Sequence, residues 1–134
     1  MSLDILQNIE RRWNAGSQAW DPSKLASIYA ENAVFFGGRR NHAVGRLQIE
    51  KYFRSYASVL RGLSVSFVEQ EVRDLSRSAF LAQGFGNFSF EFCDGRRSLN
   101  RLRTTLVITM EDNEGQVLLH HFSSVPEEPP LGIG

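Results

Sequence analysis

Over the first sixty positions apolar residues recur at steps of three and four, and beyond Gly62 the step becomes two. A step near 3.6 marks one face of a helix, and a step of two marks one face of a strand. Leu6, Ile9 and Trp13 predict a helix from Leu3 to about Ala15, with Ser2 able to cap it. Asp21 before Pro22 reads as an N-cap followed by a first-turn proline. Leu25, Ile28 and Tyr29 then carry the apolar face of a second helix ending near Glu31 and Asn32. Ala33 to Phe36 is a short β-prone run closed by Gly37 and Gly38. Ile49, Tyr52, Phe53, Tyr56, Ala57 and Leu60 predict a third helix. From the alternation Leu63, Val65, Phe67 onward, strands are expected at residues 63–72, 78–92, 98–111 and 116–124. Three helices followed by an antiparallel meander is an α+β arrangement in which helices cover one face of a curved sheet.

Turn positions then set which side chains share a face. With Asp94 and Gly95 as the central pair of a tight turn, partner numbers in the hairpin sum to 189, so Gly84 faces Thr105 and Gly86 faces Arg103. A tight turn at Asn113 and Glu114 makes the next pair sum to 227, setting Thr105 opposite Phe122 and Val107 opposite His120. One face therefore carries Gly84, Gly86, Phe88, Arg103, Thr105, His120 and Phe122. Two glycines at i and i+2 within a strand suggest space reserved above the sheet, here beside Arg103. The other face carries Leu81, Phe85, Leu102, Leu106, Ile108, Met110, Leu119 and His121, too apolar to leave in water, and is expected to pack on another subunit. A one-residue bulge in either hairpin exchanges the faces downstream of it.

Composition narrows the function classes. A chain of 134 residues with 42% hydrophobic content and ten Phe supports one core and argues against disorder. One domain over 1–125 is expected, with a Pro/Gly-rich tail at 126–134. Fifteen basic and fifteen acidic residues cancel, so neither nucleic acid nor an anionic membrane is an expected partner. The single Cys93, with no leader pattern and no stretch of roughly 18–20 apolar residues, points to a cytoplasmic protein. His42, His120 and His121 hold no helical i, i+4 pair, so no metal site is expected. Gly84 and Gly86 precede no helix, so no nucleotide cofactor is expected. Cys93 reads as a spare thiol.

The pieces Trp13, Asp21–Pro22, Tyr29–Ala30–Ala33, Ile49–Tyr52–Phe53, Arg103–Thr105 and His120–Ser123–Ser124–Pro126–Glu127 resemble, in order and spacing, the nuclear transport factor 2-like (NTF2-like), SnoaL-like superfamily. Within it the chain is most similar to the SgcJ/EcaC group and to the calcium/calmodulin-dependent kinase II association domain. The resemblance covers nearly the whole chain. It implies a cystatin-like cone, with helices folded over the concave side of the sheet, a conical pocket between them and assembly through the sheet. In the association domain the pocket is lined by arginines and takes carboxylate-bearing molecules, and Arg103 lies on the matching strand. Where the group has a second histidine this chain has Phe122, which makes the pocket mouth less polar.

The expectation is thus a small-molecule-binding domain for an anionic or polar-aromatic ligand, in a homodimer or higher homo-oligomer. Arg103 would pair with the anion and His120 would hydrogen-bond it. Thr105, Trp13, Tyr29, Tyr56, Phe88 and Phe122 would complete the site. His120 is the best candidate for catalysis in the alternative reading, an isomerase-, cyclase- or dehydratase-type proton-transfer enzyme, although the derived concave set holds no Asp or Glu. An oligomerisation module like the association domain is the third reading.

Overall fold

A computed structural model describes residues 2–111 and 114–128. Helix α1 (Ser2–Ser17) buries Ile5, Leu6, Ile9 and Trp13. It ends by a left-handed turn: Trp20 has φ 49°, and the Trp20 and Asp21 N–H groups donate back to the Ser17 and Gly16 carbonyls. Glycine normally takes such a position; here the Trp20 indole offsets the strain by donating to the Phe53 carbonyl at 2.8 Å. Asp21 then caps α2 (Pro22–Ala26), accepting from the Lys24 N–H.

That helix is shorter than its apolar steps suggested. Ile28 and Tyr29 leave it, and Tyr29 opens β1 (Tyr29–Phe36), which runs parallel to the last strand. Pairing with that strand satisfies the backbone here, and the apolar residues at 28–30 stay buried either way. A two-residue β2 (Ala43–Val44), invisible in the sequence pattern, pairs with β1. Helix α3 (Arg46–Arg54) also stops before the pattern does. Past Arg54 the chain continues in tighter turns, Tyr56 N–H to Phe53 O and Ala57 N–H to Arg54 O, which keep Tyr56 and Leu60 on the apolar side.

β3 (Leu60–Ser76), β4 (Ala79–Phe92), β5 (Arg97–Thr109) and β6 (Gln116–Ser124) complete one six-stranded mixed sheet in the order β2-β1-β6-β5-β4-β3. It is antiparallel except at the β1–β6 pair.

The register differs from the tight-turn expectation. In the β4–β5 hairpin partner numbers sum to 188, with Gly84 opposite Thr104 and Gly86 opposite Leu102. The loop holds three residues, not two: the Phe92 N–H donates to the Arg96 carbonyl and Gly95 adopts φ 91°. Between β5 and β6 partners sum to 226 until a bulge between Val107 and Ile108. Asn113, one of the two residues expected in that turn, lies outside the described residues. Every β5 residue therefore faces opposite to the expectation. Leu102, Thr104, Leu106 and Ile108 join the concave face, where Leu106 and Ile108 are buried, and Arg103 and Thr105 turn to the convex face. Residues 1–125 were expected as one domain and 126–134 as a tail; 129–134 lie outside the described residues.

Candidate functional site

Between α1, α3 and the concave face lies a cavity of about 550 Å³, within the usual range for small-molecule sites. Trp13 comes from α1, Trp20 from the α1–α2 turn, and Phe53 from α3. The sheet contributes Phe35, Leu60, Leu63, Phe88, Phe90, Leu102 and Phe122. The rings interlock edge to face: Trp13 meets Phe88 at 6.2 Å and 87°, and Trp20 meets Phe53 at 6.0 Å and 70°. Polar groups on the boundary come from Tyr52, Tyr56, His121, Ser123, Ser124 and the Gly37–Gly38 backbone. No Asp, Glu, Lys or Arg among the described residues borders it.

Of the residues singled out from the sequence, Trp13, Tyr56, Phe88 and Phe122 border this cavity. Tyr29 and His120 sit one layer behind it. The Trp13 indole N–H donates to Tyr29 Oη at 3.1 Å, and Tyr29 Oη lies 2.5 Å from His120 Nδ1. Because an indole N–H can only donate, the hydroxyl proton of Tyr29 is directed to Nδ1, and the imidazole proton sits on Nε2. That Nε2 has no partner within the described protein. The His120 ring packs on Phe35 and Phe122, two of the cavity's wall residues. Burial, reinforced by neighbouring His121, holds the His120 pKa well below the ordinary value, so the ring is neutral. Burial likewise raises the Tyr29 phenol, against the hydrogen bond from Trp13. Tyr52 is also raised by burial, opposed by the Gly38 N–H that donates to its hydroxyl at 2.8 Å.

Arg103 and Thr105 do not enter the cavity. Arg103 is exposed on the convex face and donates from Nε to Ser123 Oγ at 3.2 Å; Thr105 accepts from Gln83 beside it. The three-residue hairpin loop is the physical cause. Nor do the glycines leave a hollow. A Cβ at Gly84 would strike the carbonyl of Glu69, which bulges from β3 with φ 51°, and the Gln70 amide. A Cβ at Gly86 would lie 2.6 Å from the Phe88 ring. Both spaces are filled by the protein itself. Among the bordering residues that the sequence did not single out are Trp20, Phe35, Tyr52, Phe53 and Leu102. Tyr52 and Phe53 stood in the third-helix stripe, whose apolar steps cannot separate core from cavity wall.

The model of the SnoaL-like domain family matches residues 7–128. The chain belongs to the SnoaL-like family. No curated protein matches it. Among solved structures, a candidate calcium/calmodulin-dependent protein kinase II association domain from Xanthomonas campestris superposes with a TM-score of 0.79 at 23% identity, covering 94% of this chain and 86% of that one. An NTF2-like superfamily protein from Salmonella enterica gives 0.75 at 17% identity over 100% and 99% of the two chains. A candidate dehydratase of the NTF2-like family from Streptomyces avermitilis gives 0.76 at 12% identity over 92% and 97%. At these identities the likeness establishes the NTF2-like fold of this SnoaL-like domain, with its cystatin-like mixed sheet. Among the described residues of the SnoaL-like domain no helix is long and apolar enough to cross a membrane.

Proposed function

We propose that this SnoaL-like domain binds a flat, largely apolar small molecule, an aromatic compound carrying oxygen substituents at one end. One observation carries this reading: the cavity's wall is built from indole, phenyl and leucine side chains, with hydroxyls, the His121 imidazole and backbone amides as its polar part and no carboxylate among the described residues on its boundary. Burial of an aromatic ligand's area contributes roughly 25 cal/mol per Å², and the edges of Trp13, Phe88 and Phe122 offer ring-to-ring contacts. Arg103, on the far side of the sheet, takes no part.

The proton-transfer reading keeps one supporting observation, the buried Trp13–Tyr29–His120 chain with its unpartnered Nε2. With Nδ1 taken up by the Tyr29 hydroxyl and the proton on Nε2, the chain can deliver a proton from Nε2–H but offers no free lone pair as a base. Against it, His120 does not border the cavity, and among the described residues no carboxylate borders it to orient or exchange protons there. Binding is the better supported function.

The two tryptophans, the only ones in the chain, both border the cavity and both hold their indole N–H in a hydrogen bond. In a proton–nitrogen correlation spectrum, adding 2-naphthol is expected to shift both indole signals saturably. Leu102→Phe, which fills the cavity from β5, is expected to abolish the shifts. Indole signals that stay put at millimolar 2-naphthol would sink the proposal.

A further inference from the structure

The exposed residues Phe36, Gly38 and His121 on the cavity border mark its mouth, at the end of β1, where Phe36 pairs with His121 of the parallel strand β6. There the chain runs through Gly37–Gly38–Arg39–Arg40–Asn41–His42, a loop with two arginines and no acidic residue. The two glycines are needed for its path. A Cβ on Gly37 would collide with the Tyr52 hydroxyl, and one on Gly38 would lie 2.8 Å from Tyr56 Oη. This close approach sets the Arg39 guanidinium over the Tyr56 ring, 4.2 Å from its centroid.

Tyr56 is thereby shared: its ring borders the cavity and also carries the cation. Arg39, exposed on this loop, is oriented by donating from Nε and Nη2 to the hydroxyl and carbonyl of Ser55 at 3.3 and 3.2 Å. Among the described residues it makes no ion pair, unlike Arg54, Arg61, Arg73, Arg96 and Arg101. Its Nη1 makes no hydrogen bond within them. A guanidinium held in place with donors to spare, beside tyrosine hydroxyls and without a carboxylate partner, is the arrangement that recognises an oxyanion.

We infer that the ligand is an aromatic carboxylate, its ring system in the cavity and its carboxylate at the mouth, where Arg39 sets specificity for the charge. This rests on the aromatic-cavity reading above and adds to it the charge of the ligand and the residue that selects it. The cation expected from the sequence is then supplied by a loop and not by the Arg103 strand.

The test uses an isosteric pair, 2-naphthoate and 2-naphthamide, titrated calorimetrically into the intact chain. The expected result is at least a fivefold preference for 2-naphthoate, shrinking as salt is raised. In Arg39→Gln the preference should fall below twofold, and Arg39→Lys should restore part of it. Indole signals of Arg39→Gln at their wild-type positions would show that the cavity is intact. Equal affinity for the two probes in the wild type, or a preference that survives in Arg39→Gln, overturns the assignment of Arg39 while leaving the aromatic cavity standing. Binding of neither probe overturns both readings together.

Discussion

His120 illustrates how one buried side chain can set a pH response. In the folded protein its ring is neutral, pressed between Tyr29, Phe35 and Phe122, with its pKa driven down chiefly by burial. In the unfolded chain the same imidazole titrates near its ordinary value, about 6.5. Below that pH the unfolded state binds a proton that the folded state refuses, so stability falls as pH falls through about 6.5 and is flat above it. Urea midpoints measured from pH 8 to pH 5 should therefore drop on the acid side, at no more than about 1.4 kcal/mol per pH unit from this group. His120→Phe should remove that part of the slope. An unchanged slope in the variant would mean that the ring titrates in the folded state as it does in the unfolded one. The same residue was legible in the sequence as a concave-face histidine, because the β6 parity expected for it agrees with its burial. That it stands behind the cavity wall depends on Phe35 and Phe122, and no spacing along the chain reports it.

Among the elements, the β3–β4 pair shows what the strand glycines are for. Glu69 and Gln70 form a bulge between the Val68 and Glu71 pairings, and the Gln70 amide donates to the Phe85 carbonyl at 3.0 Å. Gly84 lets this bulge lie flat on β4. Gly84→Ala is expected to cost about 1–3 kcal/mol, the range for overpacking a close-packed site, read as a lower urea midpoint at unchanged slope. A variant as stable as the wild type would show that the bulge is free to move. The alternation of β3 and β4 was readable from the sequence, and so was the meander. The bulge was not, since an extra residue in one strand is fixed by its partner and leaves no local mark.

At the scale of the molecule, no described helix covers the sheet's convex face. Helices α1 and α3 pack on the concave side, while the convex side presents Val34, Leu81, Phe85, Val107 and Leu119, half-buried within the single chain, together with the exposed Phe36 and Val44. The face is less apolar than the sequence suggested, because Leu102, Leu106 and Ile108 belong to the other side and Arg101, Arg103 and Thr105 take their places. A homodimer through this face remains the proposed assembly. Light scattering should give twice the chain mass of 15.2 kDa. Val107→Arg, at the centre of the face, should return the monomer mass without disturbing the indole signals of the cavity. A monomer in the wild type would count against assembly through the sheet, and a ring larger than a dimer would favour the scaffold reading.

Periodicity was enough for the class of fold, helices first and a long-stranded meander after, because it records which side of an element meets the core. The sequence also marked Trp13, Tyr56, Phe88 and Phe122, whose aromatic bulk has to be buried somewhere. Which face each β5 residue takes was settled by the folded hairpin, since one additional loop residue at the Gly95 turn inverts thirteen positions at once. The placement of Arg39 over Tyr56, a residue of the cavity border, was decided by the tertiary structure as well. Arg39 lies in a loop with no periodicity, and it reaches Tyr56 because two glycines let the chain pass close to the tyrosine hydroxyls.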